Sequence, residues 1–326
     1  MTVNAKEPWV RRARRVIAAS LKRGTISALR TLRMLFVVMV PVILVMMSLE
    51  AAGLLPKIAW LFAPLMRLLG LPGNAALAFI SGAFVNLYSA LAVAANLGLT
   101  VKELTVLALL ALVCHNLLVE CAVQKQAGTG AWTMVAVRFV TGVAGAFAAS
   151  LLIPDSPSWT AATIPKPAPD LTTLELLRTR AIDNGFFLLK IAAIVLALMI
   201  VMEFLRQTGA LKALTWLMRP VTWLAGLPAH AGFTVMTATT LGLAYGAGTI
   251  IEESKRGELT EEEGFRTNVF IGTTHSLVED TGLFAAQGAS ILVIVLGRLA
   301  VGCVAVRLAS ATRRLFGRRP PGRAAL

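Results

Sequence analysis

Two short stretches put ionisable side chains inside long apolar runs. His115-Asn116 is followed by Glu120, and His275-Ser276 by Glu279 and Asp280. Beyond a glycine turn, at Gly128 and Gly288, each stretch meets an arginine, Arg138 and Arg298. Glu120 and Arg138 each stand nine residues from Thr129, so two antiparallel helices joined there would hold them at one depth. At 1.5 Å per residue that depth is on the order of 10 Å. A lone charge at the centre of a membrane helix costs roughly 2.5 to 3.5 kcal/mol on insertion scales, and pairing is the expected remedy. The spacing predicts the ion pairs Glu120–Arg138 and Asp280–Arg298. Glu120, Glu279 and Asp280 are thus candidates to bind a coupling proton or sodium ion. As structural latches the same pairs would need the same spacing, so both readings stay open.

His115 and His275 fall near the middle of their spans beside the hydrogen-bonding Asn116 and Ser276. They are candidates to bind a polar solute or relay protons, or else to bond between helices. Cys114 and Cys121 are seven apart and share a helix face, and with the neighbouring His115 and Glu120 they would suit a transition metal. The matching positions in the second stretch are Thr274 and Thr281, so no metal site is assigned. The acidic run Glu258 to Glu263 reads as a solvated loop and helix start, without calcium-loop spacing. No Gly-x-Ser-x-Gly, P-loop or His-Glu-x-x-His is present. Neither catalytic residues nor a cofactor is expected, and the chain is read as no enzyme.

These groups sit in a chain of 326 residues that is 57% hydrophobic and 15% charged, with a mean hydropathy of +0.75. A soluble domain carries about 25% charged residues. A soluble enzyme and a disordered chain are excluded, and several runs approach the ~20 residues that cross a bilayer as helix. The net charge of +14 is concentrated at the ends, with nine Lys or Arg before Met34 and six from Arg307 onward. That placement marks cytoplasmic flanks on anionic lipid rather than a nucleic-acid surface. A multi-pass protein of the cytoplasmic membrane with both termini inside is expected, its three cysteines free. Trp9 to Arg33 is basic and amphipathic and reads as a cytoplasmic surface helix.

The chain also repeats itself. Gly53–Pro72 matches Gly209–Pro228 at an offset of 156 with nine of twenty positions identical, among them Trp60/Trp216 and Pro64/Pro220. His115–Gly142 matches His275–Gly302 at an offset of 160, which sets Glu120 opposite Asp280. The expected organisation is a basic segment 1–33, a first repeat 34–153, a Pro-rich extracytoplasmic linker 154–184, a second repeat 185–309 and a basic tail 310–326. Each repeat reads as a long span, an amphipathic piece, a Gly- and Ser-containing segment and two spans joined by a glycine turn. In the third element Asn86-Leu87-Tyr88-Ser89 and Tyr245-Gly246-Ala247-Gly248 put polar and small residues mid-segment, as the tip of a re-entrant hairpin would require.

The Gly-Leu-Pro endings, the tips (Leu243-Ala244-Tyr245-Gly246-Ala247-Gly248 in the second half) and His275-Ser276-Leu277-Val278-Glu279-Asp280-Thr281 resemble the nucleoside recognition, or Gate, domain family. The resemblance spans about 35–152 and 185–308. It implies an all-α polytopic membrane protein of two inverted repeats, each with three transmembrane helices, a re-entrant hairpin and an interfacial helix. By that likeness the protein is expected to be a secondary transporter for a small polar solute, nucleoside-like or other, coupled to H+ or Na+. Asn86, Tyr88, His115, Asn116, Tyr245, Gly246, Gly248, His275 and Ser276 would line its site. Two alternatives accompany it: a non-transporting protein of the spore-maturation kind that acts through partners, and a divalent metal permease using Cys114, His115 and Cys121. Lipid, the solute and its coupling ion are the expected partners; self-association is left open.

Overall fold

The computed structural model describes residues 9–52, 54–160, 172–210, 216 and 218–316, and among them it contains helices and no strand. The first half comprises α1 (Trp9–Ala51), α2 (Leu55–Leu68), α3 (Ala75–Phe84), α4 (Leu87–Ala94), α5 (Val101–Cys114), α6 (Leu117–Gln126) and α7 (Ala131–Leu152). The second repeats that order as α8 (Thr173–Thr208), α9 (Arg219–Ala225), α10 (Gly232–Leu241), α11 (Leu243–Lys255), α12 (Glu261–Thr274), α13 (Glu279–Ala286) and α14 (Ile291–Phe316). Apart from the short helix Pro157–Thr160 and a 3-10 turn at Ala229–Ala231, each helix has its counterpart seven places on.

Among the described residues three helices are long and apolar enough to cross a bilayer, Ala131–Leu152, Thr173–Thr208 and Ile291–Arg313. The pair α5 and α6, bent by 40°, adds a fourth if it is one span. Thr-x-x-Glu boxes start α5 and α12 at equivalent points: the hydroxyls of Thr100 and Thr260 accept from the N–H groups of Glu103 and Glu263, whose carboxylates accept in return. Each box satisfies donors that a helix start leaves orphaned.

The basic segment is not a separate surface helix. α1 runs unbroken from Trp9 through Pro41 to Ala51, because Trp9 to Arg33 is rich in helix-forming Ala, Leu and Arg and small residues let α8 lie against it. A Cβ on Gly24 would stand 2.6 Å from Ile200 Cα. Ser27 Oγ donates to Met199 Sδ at 3.7 Å and Arg23 lies 3.9 Å from Glu203. Numbers rise on one helix as they fall on the other, so these counterparts pack antiparallel.

The third element of each half is a helical hairpin. Ten-residue α3 is about 15 Å long, half the hydrocarbon thickness, and α4 folds back on it. A Cβ on Gly82 would meet Ala90 Cβ at 2.9 Å, and one on Gly246 would meet Ala238 Cβ at 2.5 Å. At the repeat offset these pairs coincide with the glycine exchanged from one arm to the other. The first tip is at Asn86, as expected: its carboxamide oxygen caps α4 by accepting from Ser89 N at 3.0 Å. The second lies earlier than Tyr245-Gly246-Ala247-Gly248. The chain turns at Gly242, whose φ of 98° excludes a side chain, and the four expected tip residues are helical within α11.

Candidate functional site

The site is built where two helices break. α5 ends at Cys114, His115 is extended and Asn116 takes φ 49° before α6 begins. α12 ends at Thr274 and Ser276 takes φ 48°. Among the described residues no other non-glycine has positive φ. Such backbone costs of order 1–3 kcal/mol and persists only where its surroundings fix it. Each hairpin supplies that anchor, since Asn116 N–H donates to Gly82 O and Ser276 N–H to Ala238 O, both at 2.9 Å.

Each break leaves carbonyls at a helix C-terminus with no helical partner. The fully buried arginines take them. Arg138 donates from Nε to Val113 O and from Nη2 to His115 O, both at 2.8 Å. Arg298 donates from Nε to Thr273 O at 3.3 Å and from Nη2 to His275 O. A cation at the negative end of a helix dipole is favourable, so each guanidinium has work apart from any ion pair.

Glu120 is the only carboxylate that reaches its expected arginine: its Oε2 lies 2.9 Å from Arg138 Nη2. The predicted Asp280–Arg298 pair is not formed within 4 Å among the described residues. Aspartate is one methylene shorter than glutamate, and Arg298 is held by the α12 carbonyls. Asp280 Oδ2 instead lies 3.9 Å from His115 Nε2, buried and without a hydrogen-bond partner. Glu120 also joins the halves, with Oε1 3.2 Å from His115 Nε2 and Oε2 3.2 Å from His275 Nε2.

The two histidines meet with Nε2 atoms 3.3 Å apart. Each Nδ1 faces a backbone carbonyl, that of Leu112 at 3.1 Å and of Ile271 at 3.0 Å, so Nδ1 carries the hydrogen and donates. In the neutral rings both Nε2 lone pairs then point at each other and at two carboxylates. Such a group of acceptors attracts a positive centre, a proton or a cation.

The other expected residues are distributed around this centre. Tyr88, half-buried on α4, is within electrostatic reach of Glu279 and Asp280 from the other half. Asn86 is spent on its cap, and the contribution of Asn116 is the backbone bend. Ser276 has its Oγ against the Gly242 tip. Gly246 serves the hairpin contact and Gly248 is exposed. The side chain of Tyr245 lies outside the described residues. Cys114 is turned away, donating from Sγ to Arg138 O at 3.3 Å, so the proposed cysteine-based metal set does not assemble around it. His115, His275 and Asp280 do converge, their ligand atoms within 4.8 Å of one another.

Sequence reasoning missed the polar contacts that clamp the halves near this centre. Asn268 Nδ2 donates to Gln124 O at 2.8 Å and Thr129 Oγ1 at 2.9 Å, and Gln124 Nε2 returns a bond to Asn268 O at 2.9 Å. Gln124 and Asn268 were visible as amides in apolar spans, but they do not match across the repeat. A cavity of about 640 Å³ between α7 and α14 is lined by Val140, Gly145, Leu296 and Val301 and suits hydrocarbon rather than a polar solute.

A sequence profile described as Gate, nucleoside recognition, matches residues 32–149. A protein of Bacillus subtilis (strain 168), described as the uncharacterized membrane protein YvoD, is 30% identical over 279 residues, covering 85% of this chain and 89% of its own. The chain belongs to the Gate family of membrane proteins. In this Gate protein the profile runs from Leu32 within α1 to Ala149 in α7, the half that supplies His115, Glu120 and Arg138. No solved structure matches it.

Proposed function

We propose that this Gate protein is a secondary transporter of the cytoplasmic membrane. It carries a small polar or charged solute at the junction of two inverted halves, coupled to H+ or Na+, with both termini inside. The observation that carries the reading is the buried meeting of His115, His275, Glu120 and Asp280, drawn from both halves at the breaks of two helices. Broken helices around a polar centre at mid-depth are how transporters tolerate irregular backbone inside a membrane.

Two contacts support inversion. Ser290 N–H, at the α13–α14 turn, donates to Thr105 Oγ1 near the start of α5 at 3.0 Å, while Asn268, midway along α12 and ahead of its break, bonds Thr129 at the α6–α7 turn. In halves of like orientation the start of α5 and the equivalent turn would lie at opposite ends of the bundle. No enzymatic step belongs to this reading.

The test is uptake into proteoliposomes under imposed proton and sodium gradients, with a panel of nucleosides, small anions and divalent cations. Glu120→Gln combined with Asp280→Asn should abolish gradient-driven uptake while leaving a monodisperse protein. A second reading, a non-transporting protein that acts through partners, draws on the Glu120–Arg138 pair and arginine caps, which would serve folding alone. Parent protein that is folded yet moves nothing in the panel, with variants that unfold, would favour it.

A further inference from the structure

At the helix breaks His115, His275 and Asp280 bring their ligand atoms within 4.8 Å of one another, and Glu120 touches both rings. We propose that this centre is a binding site for a divalent transition metal ion, with His115 Nε2, His275 Nε2 and a carboxylate oxygen of Asp280 as ligands and Glu120 completing the set. The proposal deepens the transport reading by naming the class of solute, and it rests on that reading only for the ion's passage, not for its binding.

Distance is the first argument. Metal–nitrogen bonds of about 2.0–2.1 Å in a tetrahedral site set ligand-to-ligand edges of about 3.3 Å. The Nε2 atoms are 3.3 Å apart, and each is 3.2 Å from an oxygen of Glu120. Each of these edges matches such a site, and the two Glu120 contacts run to different oxygens, Oε1 and Oε2, of which one would turn to the ion. Asp280 Oδ2 is 3.9 Å from His115 Nε2, buried and unpartnered, so a small side-chain movement completes the sphere and gives that oxygen its missing partner.

The supporting layer agrees. Metal-bound histidines ordinarily donate their other ring N–H to a carbonyl or carboxylate, which fixes the tautomer. Leu112 O and Ile271 O do so here. Arg138 orients Glu120 from behind. Charge also favours a dication: Glu120, Glu279, Asp280 and two helix C-termini, each worth about half a negative charge, balance Arg138, Arg298 and a divalent ion. Two imidazole nitrogens select zinc, iron, copper or nickel over the oxygen-seeking magnesium and calcium.

The experiment uses full-length protein in detergent, stripped with a chelator, offered zinc, cobalt or magnesium chloride, and passed through a desalting column for elemental analysis. About one equivalent of zinc or cobalt should stay with the chain and magnesium should not, and the cobalt form should show the intense visible bands of a four-coordinate site. His115→Gln and His275→Gln should each weaken retention by roughly tenfold or more. His230→Gln, at an exposed histidine, and Cys114→Ser should leave it unchanged. X-ray absorption of the zinc-loaded parent, which needs no variant to fold, should count two imidazoles. Lack of retained zinc and cobalt, retention abolished by His230→Gln, or a spectrum without imidazole would overturn the site. Stoichiometric binding without uptake in proteoliposomes leaves the site standing and removes the transport reading; gradient-driven uptake of a non-metal solute by protein that binds no metal does the reverse.

Discussion

At the scale of single residues, Arg138 carries the largest structural consequence. It is fully buried, holds two carbonyls of the α5 break and faces Glu120, so Arg138→Ala would leave Glu120 without its arginine and both carbonyls without this donor. Breaking a buried pair from one side costs about 3–5 kcal/mol, and the variant should lose that much in a detergent unfolding titration. Adding Glu120→Gln should recover part of the loss, because the stranded charge is gone, but not all, because the carbonyls stay orphaned. Full recovery would mean that the caps contribute nothing. Duplication made the ionisable residues legible: histidine, acid and arginine recur at matched spacing in both halves. It could not tell which acid reaches its arginine, because one methylene decides that. Nor could it bring His115 to His275, since periodicity fixes depth within a half and says nothing about distance across the junction.

At the scale of elements, the hairpins offer a test through their exchanged glycines. Gly82→Ala drives a methyl into Ala90, an overpacking that costs about 1–3 kcal/mol, and Ala90→Gly added to it should restore stability because the second hairpin already uses that order. Thermal melts followed by fluorescence-detected gel filtration would read both; a double variant no better than the single would refute the equivalence. The α12 box gives a pH test. The backbone N–H and hydroxyl of Thr260 hold the Glu263 carboxyl below the usual carboxylate range. A depressed folded value contributes stability that is present above the unfolded value of about 4.3 and lost as pH falls through the folded one. Thr260→Ala should therefore cost about 0.5–2 kcal/mol at neutral pH, and its deficit against the parent should shrink on acidification. A deficit constant with pH would separate the cap from Glu263. The element order and the boxes could be read directly from the chain. The second hairpin tip was misread because Tyr245-Gly246-Ala247-Gly248 looks polar and small, whereas applying the 156 offset to Asn86 lands on Gly242, the residue whose backbone does turn.

At the scale of the whole molecule, the proposed arrangement has two copies of one bundle running in opposite directions, which composition could not decide because a basic N-terminus and C-terminus are compatible with three or four crossings per copy. Contacts between counterparts support the inverted case. α1 and α8 lie antiparallel, and the turn of each copy meets the other copy's broken helix in the arm ahead of its break. If the copies are inverted, the α6–α7 and α13–α14 turns face opposite sides of the membrane. With the buried Cys114, Cys121 and Cys303 replaced by alanine or serine, Gly130→Cys and Ile291→Cys place single thiols at these exposed turn ends. A membrane-impermeant maleimide should label Ile291→Cys in intact cells or right-side-out vesicles and Gly130→Cys only in inverted vesicles, as cytoplasmic basic termini require. Labelling of both from one side would place the copies in like orientation, and the centre formed by His115 and His275 would then no longer sit where two opposed helix breaks meet at mid-depth.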